Sequence, residues 1–358
     1  MVSNRNPKPL IIPVFIPHHG CPHRCAFCDQ QVITAGQNKL PSPEDLCALV
    51  DQFIGYARQR PSTVQLAFFG GNFLGLAPED VRTFLSVGDR LAQQGKIDGI
   101  RFSTRPDTID DERLERLNGF KVTTVELGVQ SMDDHVLALS GRGHTAADTI
   151  SAVDLLKRHG YEIGLQMMMG LPGDDEERTC ETGRQIAGLS PNFVRIYPTV
   201  VLKNSKLADW YQSGKYRPPS LSAAVTIVKR LFLYFRTNGI PVARTGLQAS
   251  ESLGERGSII AGPYHPAFGH LVQSELFLDM GRLLVQENCV GKETITFRVH
   301  PGSISKMRGH KNRNIETLKN ETSLRAVNVA AESLLPRDGL RLAGSSTVLT
   351  YDNLRSDI

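Results

Sequence analysis

The stretch Leu10-Ile11-Ile12-Pro13-Val14-Phe15-Ile16-Pro17-His18-His19-Gly20-Cys21-Pro22-His23-Arg24-Cys25-Ala26-Phe27-Cys28 decides how the rest of the chain is read. Its apolar, β-branched opening reads as a buried strand. That strand runs into a tight polar loop carrying three cysteines. Thiolates at this spacing can each ligate a different iron of one cubic cluster, which leaves the fourth iron open to another ligand. A zinc site would need a fourth soft ligand. No second Cys pair follows at the required distance, and His23, inside the first gap, closes a tetrahedron only awkwardly. Reduced cysteines without a metal are the third reading.

Outward from this loop the strand-then-loop unit repeats. Strand candidates are Leu10–Ile16, Val64–Phe69, Gly99–Ser103, Thr123–Gly128, Glu162–Met168 and Phe193–Tyr197. Between them lie the helix candidates Glu44–Arg58, Glu79–Gln93, Ala146–His159 and Asp175–Ala187, with Ser42, Pro78, Thr145 and Asp174 near their starts. This alternation predicts an α/β fold: a partial (β/α)6 TIM-like barrel within a core domain of residues 1–245, and a smaller α+β extension over 246–358. In such barrels the chemistry gathers at the carboxyl ends of the strands.

Unusual residues cluster at those ends. The second strand is followed by Gly70-Gly71-Asn72-Phe73, the third by Ser103-Thr104-Arg105-Pro106-Asp107. The fourth runs into Glu126-Leu127-Gly128-Val129-Gln130-Ser131, with Arg142-Gly143-His144 beyond a short helix. The fifth carries Gln166 and ends in Gly170-Leu171-Pro172-Gly173; the sixth carries Arg195. Each has a plainer reading. The glycines can form an ordinary tight turn, Arg105 can be a surface or ion-paired residue, His144 can cap a helix, and Met167, Met168 and Met169 read as strand core. Arg195 can face substrate or close the barrel rim. Alternation puts Glu126, Gly128 and Gln130 on one face, where buried polar groups need partners such as ribose hydroxyls.

The Cys spacing, with aromatic Phe27 beside the last Cys, resembles the signature of the radical S-adenosylmethionine (SAM) superfamily. The later motifs resemble, in order, those of the Elongator catalytic subunit and the oxygen-independent coproporphyrinogen oxidases, over residues 8 to about 245. This resemblance implies a [4Fe-4S] cluster on Cys21, Cys25 and Cys28 whose free iron chelates S-adenosyl-L-methionine and whose electron cleaves it to a 5′-deoxyadenosyl radical. A low-potential donor such as flavodoxin or ferredoxin would supply that electron. The same resemblance implies SAM contacts at Phe27, Gly70, Gly71, Ser103, Arg105, Gln130, Arg142 and Gln166. Two positions depart from the pattern: Asn72 stands where Glu is common, and Gln166 where coproporphyrinogen-oxidase-like chains carry an acidic ribose contact. The Elongator subunit pairs its radical SAM domain with an acetyltransferase acting on transfer RNA uridine. This chain is short for that second domain and lacks a Gln/Arg-x-x-Gly-x-Gly/Ala loop for acetyl-CoA. RNA modification leads among the substrates, beside a tetrapyrrole-like carboxylate. The reading from another class is a non-catalytic relative that binds or transfers a cluster, SAM or haem.

In the last third, Ala261-Gly262-Pro263-Tyr264-His265-Pro266-Ala267-Phe268-Gly269-His270 describes a rigid loop, either a packing corner or a lid with Tyr264 or His265 as proton or hydrogen donor. From Thr294 to Ile315 there is no acidic residue, while Arg298, Lys306, Arg308, Lys311 and Arg313 stand beside His300 and His310. Such a field attracts RNA phosphates or another anionic substrate, or is a solvated face. The whole-chain balance of 41 basic to 37 acidic residues is too mild to demand a nucleic-acid partner. With 40% hydrophobic residues, no secretory h-region and no apolar run of membrane length, the expectation is a cytoplasmic globular protein. The isolated Cys47, Cys180 and Cys289 read as buried hydrophobes rather than a disulfide framework.

Overall fold

A computed structural model describes residues 9–16, 20–28, 39–57, 61–247, 258–288, 293–322, 324–356 and 358. The chain forms two compact units. The first comprises Met1–Arg195, Thr199–Pro218 and Ala249–Ala261, and the second Ile196–Pro198, Pro219–Gln248 and Gly262–Ile358.

All six expected strands form: β1 (Leu10–Phe15), β2 (Val64–Phe69), β3 (Gly99–Thr104), β4 (Val122–Gln130), β5 (Glu162–Met169) and β6 (Phe193–Pro198). Two further strands follow, β7 (Val201–Leu202) and β8 (Val242–Thr245). The sheet order is β1-β2-β3-β4-β5-β6-β8, seven parallel strands curled into a half-barrel. The seventh strand goes beyond the six expected. At four half-exposed residues it is too short for periodicity to reveal. Neighbouring strands run in register, for example Phe15 opposite Phe69 and Ser103 opposite Glu126.

Helices of the first unit are α1 (Pro43–Tyr56), α2 (Pro78–Gln93), α3 (Asp111–Glu115), α4 (Asp134–Leu139), α5 (Ala146–Arg158), α6 (Glu176–Gly188) and α7 (Lys206–Gln212). Ser42 and Thr145 close capping boxes, and Pro78 sits in the first turn of α2. Asp174 lies near the start of α6, whose cap is Asp175. Asp174 instead accepts from the Gly170 N–H at 2.8 Å and the Thr179 hydroxyl at 2.7 Å, pinning the glycine turn after β5. Phe68, Phe73 and Phe102 stack at 4.6 to 5.1 Å between centroids, so the turn after β2 is anchored by an aromatic side chain just past its glycines. Met167, Met168 and Met169 are buried in the core, as is Cys180; Cys47 is half-buried because it lies on the outer side of α1 near Arg90, and Cys289 lies outside the described residues. A short antiparallel pair, β7 with β9 (Ile259–Ala261), completes this unit.

The second unit carries α8 (Leu221–Thr237), α9 (Phe268–Asn288), α10 (Ile304–Arg308) and α11 (Arg313–Glu321). They accompany a three-stranded mixed sheet, β11 (Ala326–Ala331), β10 (Thr294–Val299), β12 (Leu340–Leu342) in that order. Its core gathers Phe277, Met280, Leu284, Phe297, Met307, Leu318 and Tyr351. No described helix is long and apolar enough to cross a membrane.

Candidate functional site

The cysteine loop is held at three points. Ala26 donates its N–H to the Ser140 carbonyl and accepts from the Leu207 N–H, both at 2.8 Å, and Cys28 N–H donates to Cys25 O at 3.1 Å. Cys25 is buried; Cys21 and Cys28 are half-buried. Burial pushes the Cys21 thiol up, and the positive charges of Arg142 and Arg105 oppose that rise. Among the described residues no three His, Cys, Asp or Glu side chains converge to hold a single metal ion. A cubic cluster makes a different demand, with each thiolate reaching its own iron.

The loop enters through Gly20, at φ +83°, where an added side chain would lie 2.5 Å from the Gly75 backbone. What presses there is the fully buried Asn72 and its turn. The Asn72 amide donates to Gly20 O at 2.8 Å, while its carbonyl oxygen accepts from the Thr104 hydroxyl at 2.7 Å, the Arg105 N–H at 3.1 Å and the Thr108 hydroxyl at 3.1 Å. One side chain thereby ties the loops after β1, β2 and β3 together. An amide supplies both donor and acceptor here; a carboxylate would turn an acceptor oxygen toward the Gly20 carbonyl. This is the physical content of the Glu-to-Asn departure, and sequence reasoning had left the side chain without a role. Gly70, at φ +102° and with Ile16 O only 2.9 Å from where a Cβ would stand, keeps the backbone accessible beside it.

Arg142 reaches from beyond α4 to Cys25. Its Nη1 lies 3.5 Å from Cys25 Sγ, and its Nη2 donates to Gly128 O at 2.7 Å. A side chain at Gly128 would collide with Arg142 Nη2 at 2.7 Å and Gln130 Nε2 at 2.9 Å, so this glycine is what lets the two approach. Gln130 sits on a register shift with φ 68°, a conformation uncommon outside glycine. Its Oε1 accepts from Gln166 Nε2 at 3.3 Å. Arg105 is clamped by both Asp107 oxygens at 2.7 and 2.9 Å and donates to Arg142 O at 2.6 Å. His144 lies 3.1 Å from the Val129 carbonyl through Nε2. Since a carbonyl only accepts, Nε2 carries the proton. Burial, then the charges of Arg142 and Arg105, push this imidazole down to about 4, so it is neutral. Three buried atoms of this group have no protein partner: Arg105 Nη1, Arg142 Nε and His144 Nδ1.

A second charged layer lies deeper. Glu126 receives Arg101 at 3.0 Å and a bidentate Arg195 at 2.6 and 3.0 Å, all three side chains largely buried. The expectation that Glu126 awaits a ribose is corrected, because both carboxylate oxygens are committed to arginines. Arg195, read either as facing substrate or as closing the barrel rim, is bound through both of these bonds to Glu126.

The structure thus brings Cys25, Arg105, Gln130, Arg142 and Gln166 into one linked group, with Gly70 beside the first loop. Ser103 is half-buried and opposite Glu126 in register. Phe27 packs toward Val201, Leu207, Ala208 and Tyr216. Tyr264 and His265 belong to the second unit. There the Tyr264 N–H donates to Gly262 O at 2.9 Å, and His265 Nδ1 accepts from the Ala267 N–H at 3.1 Å.

Residues 15–186 match the model of the radical SAM superfamily, and residues 191–277 that of the radical SAM C-terminal domain. The tRNA uridine(34) acetyltransferase of Dehalococcoides mccartyi (strain CBDB1) is 26% identical over a 232-residue alignment, which covers 55% of this chain and 50% of that protein. The tRNA uridine(34) acetyltransferase of Methanocaldococcus jannaschii is 34% identical over 128 residues, 35% of this chain and 24% of that one. The chain therefore spans half or less of these relatives' length. Among solved structures, the archaeal Methanocaldococcus infernus Elp3 with an N-terminal deletion superposes with a TM-score of 0.59 at 21% identity, covering 77% of this chain and 64% of that one. That likeness is one of fold.

Proposed function

Because the chain belongs to the radical SAM superfamily of enzymes, we propose that it binds a [4Fe-4S] cluster through Cys21, Cys25 and Cys28, reductively cleaves S-adenosyl-L-methionine, and acts on RNA, with transfer RNA the leading substrate. In this reading residues 1–245 make the radical and 246–358 form the substrate-side domain. The observation that carries it is the trio of buried, unpartnered polar atoms on Arg142, which reaches Cys25, on Arg105, which bonds the Arg142 carbonyl, and on His144: Arg105 Nη1, Arg142 Nε and His144 Nδ1. Each such atom costs about 1–3 kcal/mol when left unsatisfied, and three in one place fit a polar ligand that supplies the missing partners. The donor set suits the group: three sulfurs on one anchored loop, with an arginine facing the most buried of them.

Bound there, the cluster would supply the electron that breaks the SAM C–S bond to give a 5′-deoxyadenosyl radical. This chain's own residues would do the rest. Gly70 and Gly71 offer backbone to the amino group. Arg105 and Arg142 would contact SAM, and the Gln130 and Gln166 amides would hold ribose hydroxyls without adding charge. Phe27 and Ser103 complete the proposed contact set, and Tyr264 and His265 remain the candidates for a proton or hydrogen donor. Support for RNA comes from relatives named as tRNA uridine(34) acetyltransferases.

Anaerobic reconstitution, iron analysis and detection of 5′-deoxyadenosine with dithionite or reduced flavodoxin test the reading. About four irons per chain and steady release of the nucleoside are expected. Cluster and SAM binding without the nucleoside would favour the non-catalytic alternative. Arg142→Ala should weaken SAM binding with iron content unchanged.

A further inference from the structure

Among the described residues of the second unit, Lys229, Arg236, Arg282, Lys319, Arg325 and Arg341 each meet a carboxylate at 2.5 to 3.3 Å. Lys306, Arg308, Lys311, Arg313 and Arg337 meet none among those residues. Four of these five fall on α10, the turn after it and the first residue of α11; Arg244, Arg298 and Arg355, elsewhere in the unit, also lack a carboxylate partner among the described residues. Lys306 is half-buried. Burial, then the charge of Arg337, hold its ammonium below the ordinary lysine range, with the Asp338 charge opposing them. Asp338 is itself bound to Arg236 at 2.7 Å.

Three imidazoles share this ground. His270 Nε2 lies 3.1 Å from Ser305 Oγ, and His270 feels the charges of Lys306, His265 and His310. The His265 and His310 rings meet edge to face at 5.9 Å. Asp338, already bound to Arg236, offsets this charge only in part; like charges gathered with so little counter-charge raise one another's energy, and a bound anion relieves this. Lys306, with Ser305 beside it bonded to His270 and nearby Ser303 bonded to the Arg337 carbonyl, belongs to a part of the face that suits one phosphate. The exposed Arg308, Lys311 and Arg313 extend the positive field further than a single small anion can use, which is the footprint of a polyanion.

We infer that this face of the second unit binds the phosphodiester backbone of RNA, with Lys306 and Arg337 sharing one phosphate and Arg308, Lys311 and Arg313 reaching its neighbours. The inference deepens the RNA reading above and rests on it for the choice of polyanion. It is tested by binding unfractionated transfer RNA to the full chain without SAM or reductant, so its failure is distinguishable from failure of the radical chemistry. Affinity should fall linearly with salt on logarithmic axes, and Lys306→Met with Arg337→Gln should lower it several-fold and flatten the slope by roughly two units, one per lost contact. Lys319→Gln, which removes a paired cation of the same unit, should change neither. The unfolding midpoint checks that the double variant is folded; if it is not, Arg308→Gln with Arg313→Gln, both exposed, gives the same readout. Equal affinity and slope in wild type and variants would overturn the inference. So would full displacement of transfer RNA by inorganic pyrophosphate at matched phosphate concentration, since that marks a small-anion site.

Discussion

The buried arginines of the first unit and the cations on the basic face of the second are held in opposite ways. In the first, Arg101 and Arg195 share the Glu126 carboxylate, Arg105 is clamped by Asp107, and Arg142 is spread over Gly128 O and Cys25 Sγ. In the second, Lys306, Arg308, Lys311, Arg313 and Arg337 have no carboxylate partner among the described residues. A buried, paired guanidinium is committed to the fold, and removing its partner leaves a charge that water cannot reach. An exposed, unpaired one contributes little to stability and remains available to a ligand. Substitutions in the first unit should therefore read out in stability or cofactor retention, those on the basic face of the second in binding.

The largest expected effect belongs to the sulfurs. Replacing Cys21, Cys25 and Cys28 together by Ala should take the reconstituted protein from about four irons per chain to none, with transfer RNA binding intact. A full iron complement in that variant would end the cluster assignment. Loss of RNA binding along with the iron would break the separation of roles.

Next comes the buried carboxylate. Glu126→Ala takes away the carboxylate that Arg101 and Arg195 share, leaving Arg101 with the more distant and more exposed Glu162 at 3.6 Å, and the expected loss is about 3–5 kcal/mol, read as a shift in the urea midpoint. Lys306→Met keeps the apolar stem and should change stability by no more than about 0.5 kcal/mol. Similar losses in the two variants would erase the contrast.

How much of this could be read from the sequence follows the same divide between local and long-range physics. The six strands were legible because each is an apolar run followed by glycine or polar residues, a signal contained within a few positions. Ser42 and Thr145 were legible as caps for the same reason. The Glu126 network was not, because Arg101, Glu126 and Arg195 are brought together only by strand order, and nothing in the short stretches around them names a partner. Asn72 was seen as an anomaly but not as a tie between three loops, since its four hydrogen-bond partners lie 32 to 52 residues away. Asp174 is legible as lying near the start of α6, but which aspartate caps it is not, because two adjacent aspartates present the same local signal and tertiary contacts decide which turns inward. Burial then raises the Asp174 carboxyl to about 6.

That tie can be weighed directly. Asn72→Asp replaces the donor to Gly20 O by a carboxylate oxygen while keeping size and the acceptor side, and should cost about 1–3 kcal/mol for the lost donor and the unpaired carbonyl. Cluster content should fall with it, because Gly20 is the entry to the cysteine loop. A variant that keeps both its stability and its iron would show that the tie is dispensable.

The smallest expected effect is also the one where the two readouts part in sign. Lys311 has φ 53° and ψ 37°, followed by Asn312 at φ 61°, a left-handed pair in the turn between α10 and α11. Asn tolerates this conformation, whereas Lys carries a cost of about 1–2 kcal/mol that glycine escapes. Glycine also loses more chain entropy on folding, which offsets part of the gain. Lys311→Gly should thus raise stability by up to about 1 kcal/mol, seen as a small upward shift of the unfolding midpoint, while transfer RNA affinity falls because a proposed phosphate contact is gone. A more stable protein that binds RNA less well is the outcome expected where backbone strain is retained for a ligand. If the glycine variant binds RNA unchanged, Lys311 lies outside the phosphate-binding face, and its strained backbone owes nothing to the ligand.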